Sequence, residues 1–293
     1  MSTTTPAVFV PVGDNLSFGG ILWSEWTKLR SIRSTWWCYG MLVVVTVVLG
    51  AQMASGLNFV GVTGEPTREA MQALAVHAVT VSTDFTALIV AVLGVLFFAG
   101  EYGTGMVAST LTSVPKRTPV VLGKALVLAV VTFSVGALAF AVTVPISVAL
   151  LSGSGIDVDL GDPLYWLALL GGVGYLVLVA LIAFSIGAIL RNTAGGIAVA
   201  LGLVLAAPLV LGLLSGGSQQ VWIQNVQTLL PSNLGRTMFN HPGQQAFVSP
   251  GAPVEQPPAG LWVLEPWQGG LLLAAWAIVL FAVAATLLKR RDA

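Results

Sequence analysis

The sequence predicts an all-α integral membrane protein of six transmembrane helices, and three observations carry that prediction. First, 56% of the residues are hydrophobic and only 8% are charged, where a soluble domain needs roughly a quarter charged to keep its surface wet. Second, six apolar runs are long enough to cross a bilayer, which takes about 20 residues at ~1.5 Å rise each. They lie at about 35–54, 80–100, 121–151, 164–190, 194–215 and 269–288. Third, the cations are segregated. With the N-terminus on the cytoplasmic side, Lys28, Arg30, Arg33, Lys116, Arg117, Lys124, Arg191, Lys289, Arg290 and Arg291 fall inside, and only Arg68 and Arg236 fall outside. Positive residues stay on the cytoplasmic face, so both ends are expected there. The division is a tail at 1–20, an interfacial elbow helix at 21–34, a six-span domain at 35–288 and a tail at 289–293.

The first twenty residues lack a basic segment followed by an apolar one, so no cleaved signal peptide is expected and the first span serves as the insertion signal. The elbow, ILWSEWTKLRSIRST, places Leu22, Trp26, Leu29, Ile32 and Trp36 on one side. Ser24, Thr27, Lys28, Arg30 and Ser31 lie on the other, and Trp23, Glu25 and Arg33 break the pattern. Such a helix lies in the headgroup plane with Trp26 in lipid and Lys28, Arg30 and Arg33 toward anionic headgroups. Two readings stand for it: an anchor that sets topology, or an elbow that touches a cytoplasmic partner.

Asp84 is the one acidic residue near an apolar run on the outer side. It is either a helix cap with Ser82 and Thr83 or a functional intramembrane carboxylate, with capping favoured. His77 reads as solvated or packed, and His241 has no companions at metal-ligand spacing. The third run carries Pro145, a site for a tilt or kink. Arg191-Asn192-Thr193 make a tight turn between the fourth and fifth runs. In the fifth, Ala194, Ala198 and Gly202 form a small-residue stripe, read as packing within the chain, with a subunit interface as the alternative. Pro208 is a candidate bend. The outer segment at about 216–268 begins with an amphipathic portion, Trp222, Val226 and Leu229 on one stripe, that suits a re-entrant element. Its remainder is too rich in Pro and Gly for regular structure.

Several chemistries are excluded. There is no GxxxxGK[ST] phosphate loop, GxSxG elbow or HExxH pair, and the single cysteine, Cys38, forbids an intrachain disulfide. A proton relay would need several buried ionisable groups, which weakens a secondary carrier. No basic nucleic-acid surface is present. What is left is a pore, carrier or scaffold driven from outside the chain.

The stretch EYGTGMVASTLTSVPKR, Glu101 to Arg117, forms the first cytoplasmic loop of this topology. Val107, Leu111 and Val114 fall at helical spacing after Gly105, and Pro115 ends the piece. A helix this short is unstable alone in water, so it needs a docking surface, either membrane or partner.

Here the sequence resembles the type-2 ABC transporter permeases. The resemblance rests on Glu101-Tyr102-x-x-Gly105, on Pro115-x-Arg117, and on Gly123-Lys124 opening the next span. SEWTKLRSIRSTWW (Ser24 to Trp37) and LLPSNLGRTM (Leu229 to Met238) add to it, and the match in order and spacing covers nearly the whole chain. The resemblance implies a half-transporter in the bacterial cytoplasmic membrane, paired with a second copy or a paralogue. Each copy would sit on a separate P-loop ATPase subunit that binds the ATP and Mg, with no cofactor in this chain. Gly105–Val114 would be the coupling helix, Glu101 and Tyr102 its joint with span two, and Lys116 and Arg117 contacts to ATPase or lipid phosphate, or simple inside anchors. Spans two and five would line the path through Phe85, Leu88, Val92, Leu201, Leu205 and Pro208. One departure is Met106-Val107-Ala108, where family members often carry a basic residue. The implied function is export of an amphiphilic or lipophilic cargo (drug, lipid or peptide); the alternative is a non-transporting scaffold or sensor that anchors an ATPase.

Overall fold

The computed structural model describes residues 17–56, 67–103, 117–218, 220–242 and 260–291. Among them there are helices and no strands. Six helical stretches are long and apolar enough to span a membrane, as the apolar runs predict. The coupling-helix residues Gly105, Val107, Leu111 and Val114, together with Lys116, lie outside the described residues. So do the side chains of Tyr102 and Arg117, whose backbones close and open their helices.

Helix α1 (Phe18–Ser31) opens with Ser17 as N-cap, its hydroxyl accepting from the Gly20 amide at 3.2 Å. It ends where Ile32 turns extended, and α2 (Arg33–Gly56) begins at the next residue. The packed face of α1 corrects the sequence reading. Ile21, Glu25 and Leu29 are buried, at i, i+4 and i+8, while Trp26 and Ile32 are exposed. Glu25, read as a break in the pattern, is the centre of the packed side.

Helix α3 (Arg68–Thr80), capped by Thr67, was expected only as an outer approach to span two. It is instead buried over most of its circumference against α2, α5 (Arg117–Gly153) and α6 (Pro163–Leu190). Two residues later α4 (Thr83–Gly103) begins, so the second crossing is nearly one long helix, Arg68–Glu101. The Ser82 and Thr83 hydroxyls donate back to the Val79 and Thr80 carbonyls. They tie α3 to α4 and do not cap α4 forward.

Helix α5 runs for 37 residues through Pro145 without interruption. At ~1.5 Å per residue it is longer than a bilayer core of about 30 Å needs. Asp162 caps α6, and Arg191, in left-handed geometry at φ 52°, closes it. Asn192 then caps α7 (Thr193–Leu201), which gives the expected tight polar turn. The fifth crossing changes geometry before Pro208. A π turn at Gly202–Ala206 separates α7 from α8 (Ala207–Ser218), and the Ala207 amide reaches the Gly202 carbonyl. Pro208 has no N–H to offer the Val204 carbonyl, so a local change of hydrogen-bond register just ahead of it has a clear cause.

The small-residue stripe is a second correction. Ala194 and Ala198 are exposed, and a side chain at Gly202 would meet nothing within 4 Å. The face that packs inside the chain is Gly196, Ala200 and Val204. After α8 come α9 (Val221–Thr228) and α10 (Pro231–Met238), which fold back toward the bundle. On α9 the stripe read as re-entrant is turned outward, with Trp222 and Val226 exposed, and Ile223 is the buried residue. Helix α10 packs on α6 and on the final span, α11 (Pro266–Arg291).

The core centres on α4 against α6. Gly94 sets their separation, because a Cβ there would collide with the Ala180 carbonyl and stand 3.0 Å from the Phe184 amide nitrogen. Phe184 sits edge-on to Phe98, with centroids 5.1 Å apart. Backbone cannot move aside as a side chain can, so Gly94→Ala is expected to cost at least the ~1–3 kcal/mol of core overpacking. Gly202→Ala should be neutral or stabilising, since helical glycine is worse than alanine by roughly 0.5–1 kcal/mol. Thermal unfolding of both variants in the same detergent checks the contrast.

A candidate functional site where three helices meet

At one end of the bundle, the last turn of α4, the second turn of α5 and the middle of α1 converge. Each brings charge into a buried place. The side chains of Glu25 and Lys124 are only 2% and 3% exposed. Lys124 Nζ lies 2.9 Å from Glu25 Oε2 and 2.6 Å from Glu101 Oε1. It also stands 4.6 Å above the Phe97 ring centroid and 3.5 Å from the Phe97 carbonyl oxygen. Lys28, one turn along α1, donates to Glu25 Oε1 at 2.8 Å and approaches Glu101 Oε1 at 3.7 Å. Among the described residues two cations therefore alternate with two carboxylates around a ring whose charges balance.

Local sequence explains the convergence. Gly123 precedes Lys124, and a Cβ there would lie 3.0 Å from Ile21 Cγ2. Its absence lets α1 settle close to α5. Glu25 then points at Lys124, since Ile21, Glu25 and Leu29 share one helix face. Lone charges in such a place would be very costly, and they are tolerated here because each faces opposite charge. Lys28 shows the balance. Burial lowers its pKa, but the hydrogen bond and charge of Glu25 and the charge of Glu101 outweigh it, and the net shift is upward from 10.5. A raised folded-state value means the stabilisation is complete below the unfolded pKa and is lost only as pH rises through the higher folded one.

The ring has no catalytic chemistry to offer. It contains no nucleophile, its charges neutralise one another, and no group of three or more His, Cys, Asp or Glu suits a metal among the described residues. It joins α1 to the last turn of α4 and the second turn of α5.

A family model described as "ABC-2 family transporter protein" matches residues 20–293. The chain belongs to the ABC-2 transporter family. It is a multi-pass membrane component of an ABC transporter, without an ATPase motif of its own, and members of this family work with an ATP-binding subunit. No curated protein matches the chain significantly.

The expected site residues of this ABC-2 permease separate into groups. Glu101 and Lys28 belong to the ring, while Arg30 and Arg33 are exposed on the elbow side and Trp26 is 40% exposed. Leu88, Leu205 and Pro208 line one cavity near the opposite end of the bundle. Phe85 lines a different one with Leu49, Gln52, Met53 and Val81. Val92 and Leu201 are half-buried and line neither. Two ring members escaped sequence reasoning. Glu25 was treated as noise and Lys124 as a topology charge, although a Glu on the apolar side of an amphipathic helix is a signal that a cation awaits it.

Removing one partner of a buried ion pair costs about 3–5 kcal/mol, much of it the stranded charge. Glu25→Ala is therefore expected to lower the unfolding temperature far more than Arg30→Ala. Glu25→Ala combined with Lys124→Met should recover most of the loss. A double-mutant cycle by thermal unfolding reads the coupling directly.

Proposed function

We propose that this chain is the permease half of an ABC exporter, working as two copies, or with a paralogue, on two separate P-loop ATPase subunits that bind ATP and Mg. The observation that carries the reading is the ring of Glu25, Lys28, Glu101 and Lys124. A stretch ending at Arg117 joins Glu101 to α5, and it is where the family places its contact with the ATPase. Any displacement of that stretch pulls on Glu101, and through Lys124 and Glu25 it pulls on the whole of α1. A buried, mutually satisfied ring transmits such a pull because breaking it exposes unpaired charge.

On this reading Gly105–Val114 is the coupling helix, with Glu101 and Tyr102 as its joint and Lys116 and Arg117 beside the ATPase or lipid phosphate. The N- and C-termini lie in the cytoplasm of a bacterial cell. The elbow keeps Trp23 and Trp26 in the headgroup region, with Arg30 and Arg33 toward anionic lipid. The fifth crossing is the surface for the second copy: its most apolar window is 11% buried within the chain, against 67% for α6. The cargo path, lined in part by Leu88, Leu205 and Pro208, is largely apolar, which suits an amphiphilic or lipophilic substrate taken from the cytoplasm or inner leaflet.

Expression with candidate P-loop ATPases tests the reading. The complex should co-purify and hydrolyse ATP faster in the presence of its cargo. Glu101→Gln, or deletion of Gly105–Val114, should leave basal hydrolysis while abolishing cargo movement into inside-out vesicles. Failure of any ATPase to bind would sink the proposal. An ATPase that binds but never moves or responds to cargo would favour the scaffold reading.

A further inference from the structure

The cavity at the end of the bundle opposite the charge ring has a built polar wall that the coupling function does not use. Its volume is about 340 Å³, within the range of small-molecule sites. At its polar end, Arg236 of α10 grips Asp84 of α4 with two parallel hydrogen bonds, Nε to Oδ1 at 3.1 Å and Nη2 to Oδ2 at 3.0 Å. Asp84 therefore serves neither as a simple cap nor as an isolated charge. Asn233, held by the Gln227 carbonyl at 2.6 Å, and the Gln227 side chain, which accepts from Ser215, continue that wall. Leu88, Val204, Leu205, Pro208 and Leu209 form the apolar wall, part of it on the π turn.

One group in this cavity lacks a partner. Ser232 is 6% exposed, lines the cavity, and its hydroxyl makes no hydrogen bond among the described residues. A buried polar atom without a partner is costly and asks for an explanation. A ligand oxygen beside it is one.

We propose that this cavity binds the net-neutral, zwitterionic head of an amphiphile between Asp84 and Arg236, with its chain along Leu88, Leu205 and Leu209. The charge of the wall selects the head. A purely cationic or anionic group beside the pair meets one opposite and one like charge. A zwitterion pairs with both at once and leaves no net charge. The proposal narrows the cargo class of the exporter reading and rests on it for biological meaning, but not for its test.

The test uses the full chain in dodecyl maltoside, without any ATPase. The probe is dodecylphosphocholine carrying a diazirine at the chain end, with adducts mapped by mass spectrometry. Adducts are expected on Leu88, Leu205 or Leu209. Unlabelled dodecylphosphocholine should displace them at about tenfold lower concentration than dodecyltrimethylammonium or dodecyl phosphate, the discrimination expected of one unmet charged contact. Asp84→Asn and Arg236→Gln should each cut labelling by a similar factor. Leu205→Trp fills the cavity from an exposed position and keeps the test decisive if the charge variants misfold; it should also cut labelling while the helical circular-dichroism spectrum and its thermal midpoint are unchanged. Equal competition by all three amphiphiles would overturn the proposal. So would labelling of the exposed α5 residues Leu122 and Val130 as strong as that in the cavity, or labelling indifferent to every variant. A chain that labels as expected yet binds no ATPase would refute the exporter reading and leave the subsite standing.

Discussion

The ammonium of Lys124 is the group on which this end of the bundle depends. A lysine with 3% of its side chain exposed survives there only because α1 and α4 each bring it a carboxylate. Remove either helix and the charge is stranded; keep both and their positions are locked to one another. The same atom fixes the spacing of α4 from α5, through the Phe97 carbonyl and ring. A hydrophobic contact of equal area would hold these helices together as well, but it would let them slide. Opposed charges in a buried place do not slide without penalty.

The opposite end is built on a different balance. Asp84 and Arg236 form a geometrically good pair, but both are substantially exposed, so its contribution to stability is small. Nearby, Gln72 of α3 holds the backbone of Asp159 through both its amide groups, and His241 meets the α6 cap Asp162 at 3.2 Å. These contacts draw the connecting segments at this end onto the helix ends one by one. One end is thus a ring of buried charge, and the other a set of separate, partly wet contacts around a cavity.

Much of the fold was legible in the residues, and the reasons it stopped being so are physical. Apolar length reports on the bilayer, which acts on each helix separately, so the six spans could be read. Which face of a helix meets protein and which meets lipid could not. Both environments accept Leu, Val and Trp equally, so hydrophobic periodicity loses its meaning inside a membrane. That is why the stripe Ala194–Ala198–Gly202, assigned to packing within the chain, proved outward-facing, and why the buried faces of α1 and α9, at Glu25 and Ile223, were not picked out. The informative residues were the ones lipid would reject. Glu25, Lys124 and Asp84 each mark a place where another helix must stand.

Composition and local spacing were enough to read that the chain has six runs able to cross a membrane, that it has no P-loop motif, and that its order of motifs resembles one family. Only the tertiary structure decided that Glu25, Lys28, Glu101 and Lys124 form one ring, and that Asp84 finds Arg236 across 152 residues. Charges so far apart in the chain have no local relation to read. Their pairing follows from where glycines such as Gly94 and Gly123 let helices approach.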